Sequence, residues 1–130
     1  MGNDIHILVI EDDRFSAEVM GRLLAAERID YTIITEHRAI FPIIEQLPRI
    51  DVIFLDLEMP GKNGYELLEM FLAHPRLRNT RIVACTVHTD ELNNAKRVGF
   101  HGFLGKPLRQ QLFSDQLDRI LHDQPVWEVS

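Results

Sequence analysis

The sequence predicts an α/β protein built on a doubly wound, parallel β-sheet. Short apolar runs rich in β-branched residues alternate five times with stretches of helical periodicity along the chain. Such alternation is typical of strand–helix units, which build a parallel sheet, here of five strands, with helices on both faces. The length of 130 residues and the 45% share of hydrophobic residues suit one domain with a substantial core.

The first two strand–helix units are predicted in the N-terminal part of the chain. Residues 7–10 are four consecutive apolar residues, as expected of a strand buried on both faces. A helix is predicted over residues 14–27. Its apolar side carries Phe15, Val19 and Leu23. A second strand over residues 31–34 precedes a short helix over residues 40–47. Pro42 has to lie in the first turn of that helix, because a deeper proline would remove a backbone hydrogen bond.

The remaining three strands are predicted over residues 52–55, 81–86 and 100–104. A turn at residues 59–64 separates the third strand from its helix. Thr89 or Asp90 is expected to cap the fourth helix, which ends near Gly99 because glycine readily adopts the left-handed C-terminal position. Pro107 is expected to open the last helix.

The C-terminal residues are predicted to lie outside the domain. Residues 1–122 form the predicted domain, and residues 123–130 form a tail that follows the last helix. Trp127 is expected to belong to a mobile end, since terminal residues are poorly ordered unless something holds them. The alternative is that Val126 and Trp127 act together as a docking handle.

Composition excludes several classes of protein. The 14 basic and 20 acidic side chains give a formal charge of −6, which argues against binding to nucleic acid or to an anionic membrane. Cys85 is the only cysteine, so neither an internal disulfide nor a cysteine-rich zinc site is available. The N-terminus has no basic region followed by an apolar stretch, and we therefore expect a cytoplasmic protein.

Polar side chains follow the predicted strands where a ligand is expected. In open α/β sheets, ligands bind beyond the carboxyl ends of the strands. Glu11 and Asp12 follow the first strand, Asp56 the third, and Thr86 and Lys106 lie at the ends of the fourth and fifth. Clustered carboxylates favour a hard cation such as Mg²⁺, while a hydroxyl and an ammonium favour an anion. This set of groups suits phosphoryl transfer.

These residues also carry a family resemblance. Residues 7–13, residues 55–60 with Gly64, Thr86, and residues 105–107 resemble the receiver domain of two-component response regulators, over about residues 5–121 of the chain. The resemblance implies the flavodoxin-like strand order 2-1-3-4-5. It also implies a single-domain protein like the chemotaxis regulators, which acts as a signalling protein and not as an enzyme.

The resemblance implies a role for each strand-end residue. Asp56 would accept a phosphoryl group from a sensor histidine kinase or a phosphotransfer protein. Glu11, Asp12 and Asp56 would bind Mg²⁺, together with the backbone carbonyl of Glu58. The Thr86 hydroxyl would turn toward the phosphoryl group, and the Lys106 ammonium would pair with it.

The family also implies a switch. Phe103 stands where the family places an aromatic residue that packs inward on activation, and we expect its ring to be exposed beforehand, with burial in both states as the alternative. The output partner, not identified by the sequence, is expected to bind a face formed by residues 90–121, and a homodimer through that face is left open. Three residues that flank the site are expected to modulate donor access and the lifetime of the phosphoryl group: Glu58, Val87 and His88.

Other functions remain as alternatives to the phosphorylated switch. The same fold also serves as a protein-interaction module that needs no phosphorylation. A metal-dependent phosphatase would carry its nucleophile on the first strand and a capping insertion, neither of which the sequence contains. A flavin carrier would need a phosphate-binding loop after the first strand, where the carboxylates that follow Ile10 would repel a phosphate.

Overall fold

The computed structural model describes residues 4–59 and 63–129. The predicted turn at residues 59–64 therefore lies partly outside the described residues. The strands are β1 (His6–Ile10), β2 (Asp30–Ile34), β3 (Val52–Leu55), β4 (Arg81–Thr86), β5 (Gly102–Gly105) and β6 (Trp127–Glu128). The helices are α1 (Arg14–Ala26), α2 (Ile40–Gln46), α3 (Gly64–Leu72), α4 (Leu92–Val98) and α5 (Gln110–Leu121).

The described residues form one parallel sheet in the order β2-β1-β3-β4-β5-β6. The predicted parallel sheet and the order of its first five strands are confirmed. The predicted number of strands is wrong, because residues of the expected tail add a sixth strand beside β5. The expectation that Trp127 belongs to a mobile end is wrong for the same reason.

The sheet is buried between two layers of helices. Side chains alternate along each strand, so Leu8 and Ile10 face one layer while Ile7 and Val9 face the other. The first layer contains α2, α3 and α4, and the second contains α1 and α5. This double coverage explains why the strands read as continuous apolar runs in the sequence.

Local signals define most helix boundaries. The Asp13 carboxylate caps α1 by accepting a hydrogen bond of 2.9 Å from the Ser16 N–H. Pro42 lies in the first turn of α2, as predicted. Gly99 ends α4 with a φ of 118°, the left-handed conformation that glycine adopts without steric cost.

Two predicted helix starts are wrong. Thr89 and Asp90 do not cap α4, since they lie in a 3₁₀ turn, Thr89–Glu91, that leads into the helix. Pro107 does not open α5, which begins three residues later at Gln110.

Within the described part of the chain, no helix has the length and apolar character needed to cross a membrane.

Candidate functional site

The site lies at the carboxyl ends of four neighbouring strands. Glu11 follows β1, Asp56 follows β3, Thr86 ends β4, and Lys106 follows β5. Backbone hydrogen bonds continue the pairing past the strand ends: the Asp56 N–H donates to the Ile10 carbonyl at 3.1 Å, and the Lys106 N–H donates to the Thr86 carbonyl at 2.8 Å. Backbone hydrogen bonds of the sheet therefore fix the main-chain positions of these residues, independently of contacts between their side chains.

Three carboxylates meet at this edge of the sheet. One oxygen from each of Glu11, Asp12 and Asp56 lies within 4.8 Å of the other two. Glu11 and Asp56 are 4% and 8% exposed, while Asp12 faces solvent. The set provides only oxygen donors and opens to water on one side, which suits a hard cation that keeps part of its hydration shell, as Mg²⁺ does. The predicted metal residues Glu11, Asp12 and Asp56 are thus brought together.

The Lys106 ammonium lies among these carboxylates. Its Nζ forms an ion pair with Glu11 Oε1 and lies 4.0 Å from Asp56 Oδ1. Burial works to lower the pKa of Lys106, but the hydrogen bond with Glu11 and the neighbouring negative charges outweigh it and raise that pKa. The sequence predicted a lysine here but not its pairing with Glu11, since residues 95 positions apart carry no local signal of contact.

Asp56 is the carboxyl group most perturbed by this arrangement. Burial and the negative charge of Glu11 raise its pKa to about 7, although Lys106 works in the opposite direction. The Glu58 N–H donates to Asp56 Oδ1 at 3.3 Å, which holds the carboxylate at the mouth of the site. A buried carboxyl group whose charge is incompletely compensated is expected where a cation or a reacting group completes the site.

The Thr86 hydroxyl and the Phe103 ring are both buried. Thr86 Oγ1 accepts a hydrogen bond of 3.1 Å from the His88 N–H. Phe103 is 0% exposed and packs in the core layer of α2, α3 and α4. The expectation of an exposed Phe103 ring is therefore wrong for this structure, in which the ring is packed in the core. Its role as a switch stays a prediction.

Glu58 and His88 form a pair at the rim of the site. The His88 Nε2 lies 2.8 Å from Glu58 Oε1, and both side chains are largely exposed. The Glu58 carboxylate thus turns toward His88. Its implied contribution to the metal site is the backbone carbonyl, and that contribution stays a prediction.

An apolar cavity that the sequence did not predict adjoins the site. It has a volume of about 420 Å³, and its wall includes Phe15, Val19, Val87 and Leu108. Phe15 is 71% exposed, although it belongs to the predicted apolar side of α1. Helical periodicity places Phe15 on the same side of α1 as Val19, but it does not show how much of that side the rest of the fold covers.

Comparison with known proteins identifies the family. A family model described as the response regulator receiver domain matches residues 7–118. The chain belongs to the response regulator receiver family. It is therefore a receiver domain of two-component signalling. Domains of this family act in signalling and not as enzymes. The C-terminal residues that include β6 lie beyond the matched range.

Relatives and solved structures agree with this assignment. The transcriptional regulatory protein MalR of Bacillus subtilis is 29% identical over 96% of this chain and 54% of its own length. The chemotaxis response regulator CheY4 of Vibrio cholerae is 22% identical, with a TM-score of 0.79 over 89% of this chain and 98% of that one. The chain spans 16%, 54% and 55% of the length of three curated relatives that it matches.

One solved relative bears on the metal. The receiver domain of the sensor histidine kinase PA1611 from Pseudomonas aeruginosa was solved with a magnesium ion coordinated in its active-site cleft. That domain is 23% identical to this chain, with a TM-score of 0.77 over 90% of this chain and 97% of that one. At this level of identity the likeness establishes the shared fold, and the metal of this receiver domain is argued from its own carboxylates.

Proposed function

We propose that this receiver domain accepts a phosphoryl group on Asp56 in a reaction that requires Mg²⁺. The observation that carries the proposal is the convergence of three carboxylates within 4.8 Å and of the Lys106 ammonium 4.0 Å from Asp56 Oδ1. Glu11, Asp12 and Asp56 would hold the metal through their oxygens, with the Glu58 carbonyl as a further donor. Bound Mg²⁺ supplies positive charge that offsets the charge of the incoming phosphoryl group.

Asp56 is the nucleophile in this proposal. A carboxylate oxygen of Asp56 attacks the phosphorus of a phosphohistidine on a sensor histidine kinase or a phosphotransfer protein. The bond from phosphorus to the imidazole nitrogen breaks as the bond to the carboxylate oxygen forms. The electron pair leaves with the imidazole, which takes its proton from solvent. Lys106 and the Thr86 hydroxyl then donate to the phosphoryl oxygens, because hydrogen bonds to charged groups are the strong ones.

Phosphorylation of Asp56 is expected to change the surface that a partner binds. A phosphoryl group on Asp56 would draw the Lys106 ammonium away from Glu11 and the Thr86 hydroxyl toward Asp56, because both groups donate to its charged oxygens. Both movements act on the ends of β4 and β5. We therefore place the partner-binding face on residues 90–121, which include α4, β5 and α5. The cytoplasm stays the expected compartment, and Glu58, Val87 and His88 stay the residues expected to set donor access and phosphoryl lifetime.

The test is incubation with acetyl phosphate and Mg²⁺, followed by measurement of the intact mass. We expect the mass to rise by one phosphoryl group, and Asp56→Asn to abolish the gain because the amide is a poor nucleophile. Asp13→Asn is the matched control: Asp13 is a neighbouring carboxylate that caps α1, lies outside the three-carboxylate cluster, and is replaced by an equally good cap. Persistent labelling of Asp56→Asn would refute the assignment.

The alternative function, an interaction module that needs no phosphorylation, makes a different forecast in the same experiment. It expects no gain of mass in any variant. The complete set of Asp56, Lys106, Thr86 and the two other carboxylates favours the phosphorylated switch, since a module that binds partners constitutively has no use for a buried carboxyl group with a raised pKa.

A further inference from the structure

Residues 126–129, the β6 segment, form part of the sheet. Val126 is fully buried, and its carbonyl accepts a hydrogen bond of 2.7 Å from the Phe103 N–H. Trp127 then pairs with Phe103, and Glu128 pairs with Leu104. The segment thereby covers the edge of β5 that would otherwise be open.

Both flanking helices hold the β6 segment. On the side of α4, the Lys96 ammonium lies 5.2 Å from the centre of the Trp127 ring, a cation–π contact. On the side of α5, Glu128 accepts hydrogen bonds of 2.7 Å from Arg119 and 2.7 Å from Gln116. The segment therefore sits across the face of residues 90–121 on which we place the output partner.

A tight contact links the β6 segment to the candidate phosphorylation site. A Cβ on Gly105 would lie 2.9 Å from Thr89 Cγ2 and 2.9 Å from the Val129 carbonyl carbon, so Thr89 and Val129 both pack against this glycine. Gly105 precedes Lys106, whose N–H donates to Thr86. A shift of the loop at residues 86–89 would therefore change the packing at the glycine that also contacts Val129 of the β6 segment. Val129 is 48% exposed, so part of its surface already faces solvent.

We propose that the β6 segment is an intramolecular ligand of the face formed by residues 90–121, and that phosphorylation of Asp56 releases it. The release rests on the proposed function, whereas the docking stands on the contacts of the segment alone. While the segment is docked, it excludes any partner that needs the β5 edge. Release uncovers that edge together with Lys96 and Arg119, and so exposes two cations beside an unpaired strand.

Hydrogen exchange of the Phe103 amide measures docking directly, because this amide donates to Val126 and faces solvent only when the segment leaves. In the full chain, Glu128→Ala is expected to accelerate this exchange about tenfold, the effect of losing hydrogen bonds to a charged group. Asp115→Ala is the matched control, since Asp115 is the other carboxylate bound to Arg119 but lies on α5. It is expected to leave the Phe103 amide unchanged. Equal exchange in wild type and Glu128→Ala would overturn the docking.

The release is tested by adding Mg²⁺ and beryllium fluoride, a phosphoryl mimic. We expect faster exchange of the Phe103 amide in the wild-type protein, unchanged exchange at Leu8 in β1, and no response in Asp56→Asn. An unchanged or slower Phe103 amide in protein whose mass does rise with acetyl phosphate would overturn the release and leave the proposed function standing. If the mass does not rise, the proposed function and the release fail together, and the Glu128→Ala comparison decides the docking by itself.

Discussion

The Asp56 carboxyl group is buried beside Glu11, and these surroundings raise its pKa to about 7 from its ordinary value of 3.8. An acid whose pKa is higher in the folded state destabilises that state when it is ionised. The penalty is absent below pH 3.8, grows as the pH rises through the interval to about 7, and is complete above it. The metal-free fold therefore carries a strain that is electrostatic in origin and located at the proposed phosphoryl acceptor.

Replacing the Asp56 carboxyl group by an amide removes this penalty. In a metal chelator at pH 8, Asp56→Asn is expected to have a higher free energy of unfolding than the wild-type protein, because it removes the cost of burying a charge and the repulsion by Glu11. The advantage should vanish near pH 4, where the wild-type carboxyl group is protonated. Urea unfolding at the two pH values measures both quantities. A less stable Asp56→Asn at pH 8 would contradict this account of the pKa.

Individual site residues differ in how far the sequence reveals them. Glu11, Asp56, Thr86 and Lys106 were predictable, because each follows or ends an apolar strand and the carboxyl ends of neighbouring parallel strands meet. Contacts between side chains were not. The pairs of Lys106 with Glu11 and of His88 with Glu58 depend on rotamers and on distances across the site, about which a linear pattern carries no information.

At the scale of elements, the start of α3 shapes the loop that follows Asp56. Asn63 and Glu66 form a capping box at this start, each accepting a hydrogen bond from the other's backbone. The Gly64 N–H donates to the Leu57 carbonyl at 2.9 Å. A Cβ on Gly64 would lie 2.8 Å from Leu57 Cα and 2.9 Å from the Asp56 carbonyl oxygen. The glycine is required by this close approach of two backbones.

Gly64→Ala is expected to destabilise the fold by about 1–3 kcal/mol, the usual effect of overpacking. The matched control is Gly21→Ala within α1, where the nearest obstacle to a Cβ is the Tyr31 hydroxyl at 3.2 Å. Alanine favours a helix interior, so Gly21→Ala should change stability by less than about 1 kcal/mol. Thermal unfolding of both variants provides the comparison. A harmless Gly64→Ala would show that the backbones of Gly64 and Leu57 can separate without cost.

The elements themselves were predictable to different degrees. The alternation of apolar runs located β1 to β5, because strands covered on both faces must be apolar throughout. β6 was not predicted because it has two residues, too few for any periodicity, and because its contacts come from α4, β5 and α5. A strand specified by tertiary contacts alone has no signature of its own in the sequence.

For the whole molecule, the acidic site links metal binding to stability. A ligand that binds only the folded state stabilises that state by mass action. At a Mg²⁺ concentration about tenfold above its Kd, the gain is roughly 1.4 kcal/mol. For a chain of this length that corresponds to a rise of about 5 °C in Tm. The rise is expected in wild type and is expected to be lost in Asp12→Ala, as scanning calorimetry with and without Mg²⁺ would measure.

Without metal, Asp12→Ala should be no less stable than the wild-type protein, because it removes one of three mutually repelling carboxylates. A metal-free loss of Tm in this variant would mean that Asp12 has a structural role. An undiminished response of Asp12→Ala to Mg²⁺ would place the stabilising ion elsewhere.

The two-residue length of β6 also bears on how copies of this protein meet one another. An uncovered strand edge is a template for pairing with another chain, and short or charged edge strands limit that risk. β6 covers β5 with only two residues, the second of which is the charged Glu128. It therefore presents little backbone for pairing with a further strand. Release of the β6 segment, as proposed, would expose the buried, largely apolar strand Gly102–Gly105 to other copies of the protein. Docking of the β6 segment is therefore expected to limit pairing between copies through β5, whereas the opposite edge of the sheet, β2, is unaffected.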